Sequence, residues 1–209
     1  MPLDVRHTPF DGNNGALKMK TAVSLALLLA FAGAALPDPV EYKIDPNHTA
    51  PAFETDHLGG LSVIRGKFTK TQGKIMLDRE AGTGTIEVVI DTSSIDFGHQ
   101  KLEEHVRKDE MLDVAKYPTA TYKGRLVNFK DGKPTEARGT LTLHGVTRPV
   151  TLQINQFLCK PHPMLKKQDC GADASGAINR AEFGIDYGKQ YGFKQNVKLL
   201  ISVEAVRAD

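Results

Sequence analysis

Strict alternation of apolar and polar residues marks three stretches of the chain. Residues 85–91 read TIEVVID, residues 150–155 read VTLQIN and residues 197–205 read VKLLISVEA. A period of two with one apolar face is typical of antiparallel strands that are solvated on one side. A shift of one residue in the strand register would point every apolar side chain toward the solvent. We therefore expect two triplets to point inward: Ile86, Val88 and Ile90, and Leu199, Ile201 and Val203.

Weaker alternation extends the strand prediction over most of the remaining chain. Turn signals rich in Gly, Pro, Asn or Asp, such as DGKP at 131–134, separate the stretches. The tight connection HGVTRP joins two alternating segments within residues 139–156. Six further strands are predicted, at residues 41–46, 50–57, 61–69, 73–79, 119–129 and 137–144.

Only residues 99–112, HQKLEEHVRKDEML, favour a helix. Glu103 and Glu104 each precede a basic residue by four positions, and Leu102 and Val106 share one stripe. Tyr117-Pro118 follows, as expected where a helix gives way to extended chain. The sequence predicts one amphipathic helix of about three turns.

One helix cannot cover the apolar faces of so many strands, so the sheet must cover itself. A two-sheet sandwich does this, and so does a closed barrel, which at about eight strands holds side chains alone or one ligand. The composition does not distinguish a sandwich from a barrel, since the chain has nine Phe, five Tyr, no Trp and 19 Gly. The alternation alone establishes an all-β fold and leaves both architectures open.

The N-terminal region has the features of a secretory signal peptide. The apolar run AVSLALLLAFA at 22–32 follows Lys18 and Lys20 and precedes the small residues 32–34. A membrane anchor is the alternative, but the run is much shorter than the roughly 20 residues that span a bilayer. We expect residues 1–34 to be an N-terminal extension and signal peptide, residues 35–209 to form one folded domain, and the protein to be exported to the periplasm.

Charge and cysteine content narrow the partners of the expected mature chain. Removing residues 1–34 takes three of 27 basic and two of 25 acidic residues, which leaves 24 against 23. This balance, without a basic stripe, argues against nucleic acid as a partner. The only cysteines, Cys159 and Cys170, favour a disulfide in an exported protein. A metal site with His162 is the alternative, although its spacing matches no common zinc pattern.

Motifs that carry catalysis or cofactor binding are absent from the sequence. There is no GxSxG, HExxH, CxxC, P-loop or GxGxxG. The histidines are scattered singly, and a lone histidine in a turn such as LHGV is usually a hydrogen-bonded structural residue. No cofactor or resident metal is expected.

An ordered set of motifs resembles the YceI-like family of polyisoprenoid-binding proteins. The set begins with YKIDPNHTAPAFETDHLG (42–59) and continues through VVIDTSSIDFG (88–98) and EEHVRKDEMLDVAKYPTATY (103–122). GTLTLHGVTRPVTL (139–152) and INRAEFGIDYG (178–188) follow, and this pair is the most specific part. The match covers nearly the whole expected mature chain.

The resemblance implies a lipocalin-like, eight-stranded antiparallel barrel with a helix near one opening. Its apolar channel would hold an isoprenoid lipid, such as an isoprenoid quinone or a polyprenyl phosphate, without catalysis. The ligand-binding residues expected on this basis are Phe53, His57, Ile64, Phe68, Ile86, Val88, Ile90, Leu102, His105, Val106, Tyr122, Leu141, Leu143, Phe183, Leu199, Ile201 and Val203.

Three functions stay open at this point. The first is a carrier, store or sequestering protein for an isoprenoid lipid. The second is an enzyme on a hydrophobic isoprenoid substrate with His57 or His105 as base, and the third is a stress or structural module with a packed core. Leu102 and Glu103 stand where the family usually has an Arg-Asp pair, so the polar opening differs from the family pattern. A homodimer and a transient contact with a membrane surface also stay open.

Overall fold

The computed structural model describes residues 38–209 together with position 12. The expected signal peptide and most of the N-terminal extension lie outside the described residues. Within the described range no helix has both the length and the apolar character needed to cross a membrane.

The described residues form eleven strands, one α-helix and three short 3-10 turns. The strands are β1 (Val40–Ile44), β2 (Ala52–His57), β3 (Ser62–Phe68), β4 (Thr71–Asp78), β5 (Thr83–Asp91), β6 (Ile95–Asp96), β7 (Thr119–Val127), β8 (Glu136–Leu143), β9 (Val146–Pro161), β10 (Gln168–Asn179) and β11 (Asn196–Arg207). Helix α1 spans Gln100–Val106, and the 3-10 turns span Thr92–Ser94, Arg180–Phe183 and Lys189–Tyr191.

Eight antiparallel strands close into a barrel. Their order is β1-β4-β5-β7-β8-β9-β10-β11, and β11 pairs again with β1. Strand β2 continues the path of β1 along β11, and β3 and β6 extend the sheet beyond it. The barrel predicted from the family resemblance is confirmed, and the sandwich alternative is excluded.

The barrel has two distinct ends. At the hairpin end, the β9–β10 hairpin (residues 162–167) lies beside the last residues of β11, because Asp169 pairs with Val206. At the helix end, the β2–β3 turn (residues 58–61) lies beside the first residues of β11, because Thr55 pairs with Val197. The β9–β10 hairpin and the β2–β3 turn therefore lie at opposite ends of the barrel.

Strand β10 is the largest departure from the strand prediction. Residues 159–170, where no strand is predicted, contribute the end of β9, a short loop and the start of β10. Residues 172–177 read ADASGA, so small side chains conceal the alternation that their positions in the barrel require. Strand β9 is also far longer than the predicted segment at 150–155.

The predicted helix at 99–112 is too long. Helix α1 ends at Val106, after which Leu112 donates its backbone N–H to the Val106 carbonyl and Asp113 takes a positive φ of 44°. A continuing helix would turn Leu112 by about 240° away from Val106. The chain reverses instead, and both side chains are buried.

The barrel wall is open on one side. Pairing between β9 and β10 stops at Gln153 and Ser175, so the first part of β9 and the last part of β10 separate. Pro149, which has no N–H to donate, lies in the part of β9 that pairs with β8 but not with β10. The 3-10 turn at Arg180–Phe183 occupies the opening, and Phe183 is 1% exposed.

Candidate functional site

Inward side chains at the hairpin end form a tightly packed filled layer. All are buried, and cross-strand pairs connect them: Ile44 faces Ala205, and Leu126 faces Ala137. The filled layer consists of Tyr42, Ile44, Leu77, Leu126, Ala137, Leu152, Cys170 and Ala205.

A second set of inward aliphatic side chains is only half-buried. They belong to the same apolar cluster, and cross-strand pairs place Ile75 against Ile86 and Ile201 against Ala174. A packed core would leave such side chains almost no accessible surface. Side chains therefore pack less tightly against them than against the filled layer. This hollow layer consists of Ile75, Ile86, Ile90, Leu141, Ile154, Leu199, Ile201 and Val203.

Small residues widen the interior. Gly124 pairs with Gly139 across β7 and β8, and a Cβ on Gly139 would lie 2.3 Å from the Lys123 carbonyl oxygen. Strand β10 presents Ala172, Ala174 and Gly176 where longer side chains would project into the barrel. The strands approach closely here, and no side chain longer than a methyl group projects inward from these positions.

Tyr122 crosses the interior between the two layers. Its hydroxyl donates to the backbone carbonyls of Ala137 and Val150, each at 3.1 Å. Burial raises the pKa of Tyr122 to about 12, with a smaller contribution from Glu136. Because its hydroxyl is engaged by the wall, the side chain presents an aromatic face to the interior.

An aromatic cluster closes the space under α1. The ring centroids of Phe53 and Phe68 lie 5.9 Å apart, and Phe97 meets Phe53 edge-on at 5.7 Å. A Cβ on Gly66 would lie 2.6 Å from the Phe97 ring, so only glycine fits at this position. Leu102 of α1 packs against the same apolar cluster.

Polar contacts fix α1 on the barrel. The Arg107 guanidinium donates to the backbone carbonyls of Ser93 and Ile95 at 2.9 and 2.8 Å. The Glu103 carboxylate accepts from the backbone N–H groups of Phe97 and His99 at 3.1 and 3.2 Å. These bonds hold both ends of a helix that is too short to be stable alone.

His57 and His105, the two histidines expected near the opening, contact the β10–β11 connection. His57 meets Phe193 edge-on at 5.5 Å, and His105 meets Tyr187 at 4.9 Å. His105 Nδ1 also lies 3.1 Å from the Glu110 carboxylate. Each histidine thus contacts a different aromatic residue of one connection, at the helix end.

The Asp56 carboxylate joins two turns of the helix end. One of its oxygens accepts from the backbone N–H groups of Gly59 and Lys194, both at 2.9 Å. Beside this junction, Leu61 and Tyr191 are 75% and 65% exposed. The rim of the helix end therefore carries exposed apolar surface as well as polar groups.

His144 has a structural role in the β8–β9 turn. His144 and Gly145 both have positive φ, as a two-residue hairpin turn requires. His144 Nδ1 donates to the Phe183 carbonyl at 3.1 Å, and its ring meets Tyr117 at 4.5 Å. The turn thus anchors the segment that occupies the opening in the barrel wall.

Most of the expected ligand-binding residues lie in one apolar cluster. The inward orientation of the two predicted triplets is confirmed, although Val88 is buried and the others are half-buried. Ile64, His57 and His105 are half-buried outside that cluster. The cluster contains Phe53, Phe68, Ile86, Val88, Ile90, Leu102, Val106, Tyr122, Leu141, Leu143, Phe183, Leu199, Ile201 and Val203.

Sequence reasoning missed other interior residues. Tyr42, Ile75 and Leu77 alternate within predicted strands and could have been found from that pattern. Ala174 and Gly176 line the wall of β10, where no apolar alternation marks the strand. Contact of any of these residues with a ligand stays a prediction.

The cysteine prediction is confirmed, because Cys159 and Cys170 form a disulfide between paired positions of β9 and β10. The metal alternative with His162 is excluded, since both sulfurs are in that bond. Elsewhere in the described range, no group of three or more His, Cys, Asp or Glu side chains is placed to hold a metal.

Similar solved structures share the barrel. Burkholderia cenocepacia BcnA matches with a TM-score of 0.61 at 19% identity, covering 78% of this chain and 99% of that one. A Campylobacter jejuni YCEI protein matches with a TM-score of 0.61 at 22% identity, covering 71% and 88%. A polyisoprenoid binding domain from Saccharophagus degradans, implicated in plant cell wall breakdown, matches with a TM-score of 0.58 at 16% identity, covering 80% and 99%.

Sequence relatives are closer. A UPF0312 protein of Enterobacter sp. (strain 638) is 36% identical over 195 residues, covering 91% of this chain and 97% of that protein. Protein YceI of Salmonella arizonae is 36% identical over 189 residues, covering 88% and 95%. The YceI-like domain model matches residues 42–205. The chain therefore belongs to the YceI-like family.

Proposed function

We propose that the protein binds an isoprenoid lipid inside the barrel and acts as its carrier or store. The observation that carries this proposal is the hollow layer, whose inward aliphatic side chains keep accessible surface inside a closed sheet. The similarity to a polyisoprenoid binding domain supports the same ligand class.

The physical chemistry of the interior suits a prenyl chain. Such a chain is insoluble in water, and its burial contributes about 25 cal/mol per Å² of apolar surface without specific polar contacts. The only tyrosine between the two layers has its hydroxyl engaged by the wall, so the chain would meet aromatic and aliphatic surface. Binding of this kind requires no catalytic group.

The difference between the two ends of the barrel supports one orientation of the ligand. The filled layer blocks the hairpin end, so the prenyl tail points toward it and the polar head group lies at the helix end. His57 and His105 are the candidate neighbours of the head group, through their positions beside the β10–β11 connection.

We also propose that the protein is exported to the periplasm. A disulfide persists in oxidising compartments and is rare in the cytosol. The Cys159–Cys170 bond therefore supports the exported location that the N-terminal sequence predicts.

Substitution of two inward valines tests the lipid site. Phenylalanine at Val203, in the hollow layer, should lower the amount of bound lipid and change the free energy of unfolding by less than about 1 kcal/mol, because free space accepts the ring. The matched control is Val88→Phe, where a buried side chain has no such space and overpacking should cost about 1–3 kcal/mol.

Mass spectrometry of organic extracts from gently purified protein measures the lipid, and denaturant unfolding measures stability. A prenyl lipid in the parent protein and its loss from Val203→Phe would support the proposal. Absence of lipid from the parent, or equal destabilisation by both substitutions, would indicate a packed interior instead.

A further inference from the structure

The β9–β10 hairpin carries the most exposed apolar side chain of the described residues. Met164 is 82% exposed, and Leu165 and Leu158 are 55% and 51% exposed. We call residues 158–170 the stapled hairpin, because Cys159 and Cys170 bridge its two strands. Contiguous exposed apolar side chains, unlike single ones, mark surfaces that contact proteins or membranes.

Several contacts hold the turn in one shape. The backbone N–H of His162 donates to the Lys167 carbonyl at 2.7 Å. His162 Nδ1 accepts from the backbone N–H groups of Met164 and Leu165 at 3.2 and 3.1 Å. Together with the disulfide, these bonds present the two apolar side chains with little entropy left to lose on binding.

The stapled hairpin also carries a net positive charge near Met164 and Leu165. Within residues 158–170 there are three lysines, Lys160, Lys166 and Lys167, and one carboxylate, that of the buried Asp169, which is paired across the strands with Lys160. Lys167 also donates to the Ala208 carbonyl at 3.1 Å. The nearby Asp209 carboxylate is paired with Arg207 and interacts more weakly with Lys167.

The small size of this surface decides between two kinds of partner. A stable protein interface buries roughly 800 Å² on each side, which three side chains at one turn cannot provide. A bilayer surface needs no matching shape, accepts apolar side chains among its head groups, and attracts lysines when its lipids are anionic. Apolar side chains at the tip with lysines behind them fit the second surface.

The geometry points to a membrane-docking tip: we propose that the stapled hairpin inserts Met164 and Leu165 into the head-group region of an anionic bilayer while its lysines bind the lipid phosphates. This docking site is separate from the lipid site inside the barrel. It holds the protein by the hairpin end, so that the helix end faces away from that bilayer.

Vesicle co-sedimentation tests the docking site with protein purified from the exported fraction. Vesicles contain either phosphatidylcholine alone or phosphatidylcholine with phosphatidylglycerol, and all variants share one N-terminal sequence. The double substitution Met164→Ser with Leu165→Ser should lower the partition coefficient on anionic vesicles at least tenfold. Lys160→Gln with Lys166→Gln should lower it about 25-fold, at roughly fivefold for each lysine.

Matched substitutions at the helix end are the controls. Leu61→Ser with Val63→Ser removes two exposed apolar side chains, and Lys189→Gln with Lys194→Gln removes two charges. Both controls should bind anionic vesicles like the parent. Equal losses in controls and hairpin variants, or no preference of the parent for anionic vesicles, would overturn the proposal.

Melting curves and lipid content of the hairpin variants complete the test. Both should match the parent, because the substituted side chains lie outside the barrel. A parent protein that sediments with anionic vesicles but contains no lipid would overturn the proposed lipid site and leave the docking site standing. Loss of vesicle binding only through a lower melting temperature would overturn the docking site.

Discussion

The filled and hollow layers are built from the same kinds of residue but are packed differently. Ile44, in the filled layer, is 6% exposed, whereas Ile201, on a neighbouring strand, is half-buried in the hollow layer. Both point inward from a strand with apolar alternation. Alternation therefore specifies the direction of a side chain, and the residues opposite it decide whether the space in front is occupied.

The filled layer and the hollow layer contribute differently to the stability of the fold. Close packing in the filled layer contributes dispersion contacts that a side chain facing free space does not make. The hollow layer forgoes part of that contribution, and its side chains are those that we propose to contact the ligand. A given change in side-chain volume should consequently alter the free energy of unfolding more in the filled layer than in the hollow layer.

Truncation of one side chain in each layer gives the largest expected difference. Leu77→Ala should lower the free energy of unfolding by about 3 kcal/mol, because it leaves a cavity in a packed region. Ile201→Ala should cost about 1 kcal/mol in lipid-free protein, since part of its surface is already accessible. Denaturant unfolding of both variants measures the difference, and equal losses would break the distinction between the layers.

Removal of the disulfide should have a similar effect at the filled end. Cys159→Ala with Cys170→Ala should lower the free energy of unfolding by about 3 kcal/mol, because the crosslink closes a short loop in the unfolded chain. A reductant should destabilise the parent by a comparable amount and leave the variant unchanged. An unaltered unfolding midpoint in the variant would contradict this expectation.

Tyr122 lies between the filled layer and the hollow layer. Its hydroxyl should contribute about 1 kcal/mol to the free energy of unfolding. Tyr122→Phe removes the bonds to the Ala137 and Val150 carbonyls. The pKa of Tyr122 is raised to about 12, so its contribution is complete below the ordinary value of 10.0 and is lost as pH rises toward 12. Ultraviolet titration should show one phenol ionising near pH 12 in the parent and not in the variant.

The smallest expected effect lies outside both layers, in the segment between β1 and β2. A hydrogen bond to Asp45, 2.8 Å away, raises the pKa of His48, and the same bond lowers the pKa of Asp45. The histidine contribution is present below its ordinary pKa of 6.5 and is lost as pH rises through the raised value. The carboxylate contribution is present above 3.8 and is lost as pH falls through the lowered value.

Nuclear magnetic resonance titration of His48 should therefore give a pKa above 6.5, and Asp45→Asn should return it toward that value. The melting temperature should change only slightly in the variant, because the His48 side chain is 60% exposed to solvent. A titration midpoint below 6.5 in the parent would contradict the hydrogen bond.

Much of the barrel could be predicted from local sequence, because its strands carry strong alternation. Strands β5 and β11 follow TIEVVID and VKLLISVEA closely. Strand β10 could not be found, since Ala172, Ala174 and Gly176 reduce the contrast between its faces. Small residues there are a property of the interior volume, which no local pattern records.

The predicted length of the helix was wrong for a similar reason. Ion pairs such as Glu103 with Arg107 do form, at 3.6 Å, and they favour a helix locally. Burial of Leu112 requires a reversal of the chain, and that requirement comes from the barrel beneath it. The family resemblance supplied the closed topology, but neither it nor the alternation could divide the inward residues into filled and hollow layers.

The opening between β9 and β10 gives the barrel mechanical compliance. A fully hydrogen-bonded ring has a fixed circumference, because widening it must break a ladder along its whole length. Here the ring is already interrupted above Gln153 and Ser175, and Phe183 closes the interruption by packing, beside a cavity of about 320 Å³. Dispersion contacts tolerate small displacements that a hydrogen-bonded ladder does not. If the barrel binds a prenyl chain as proposed, we expect it to widen on this side, where no β9–β10 hydrogen bonds have to break.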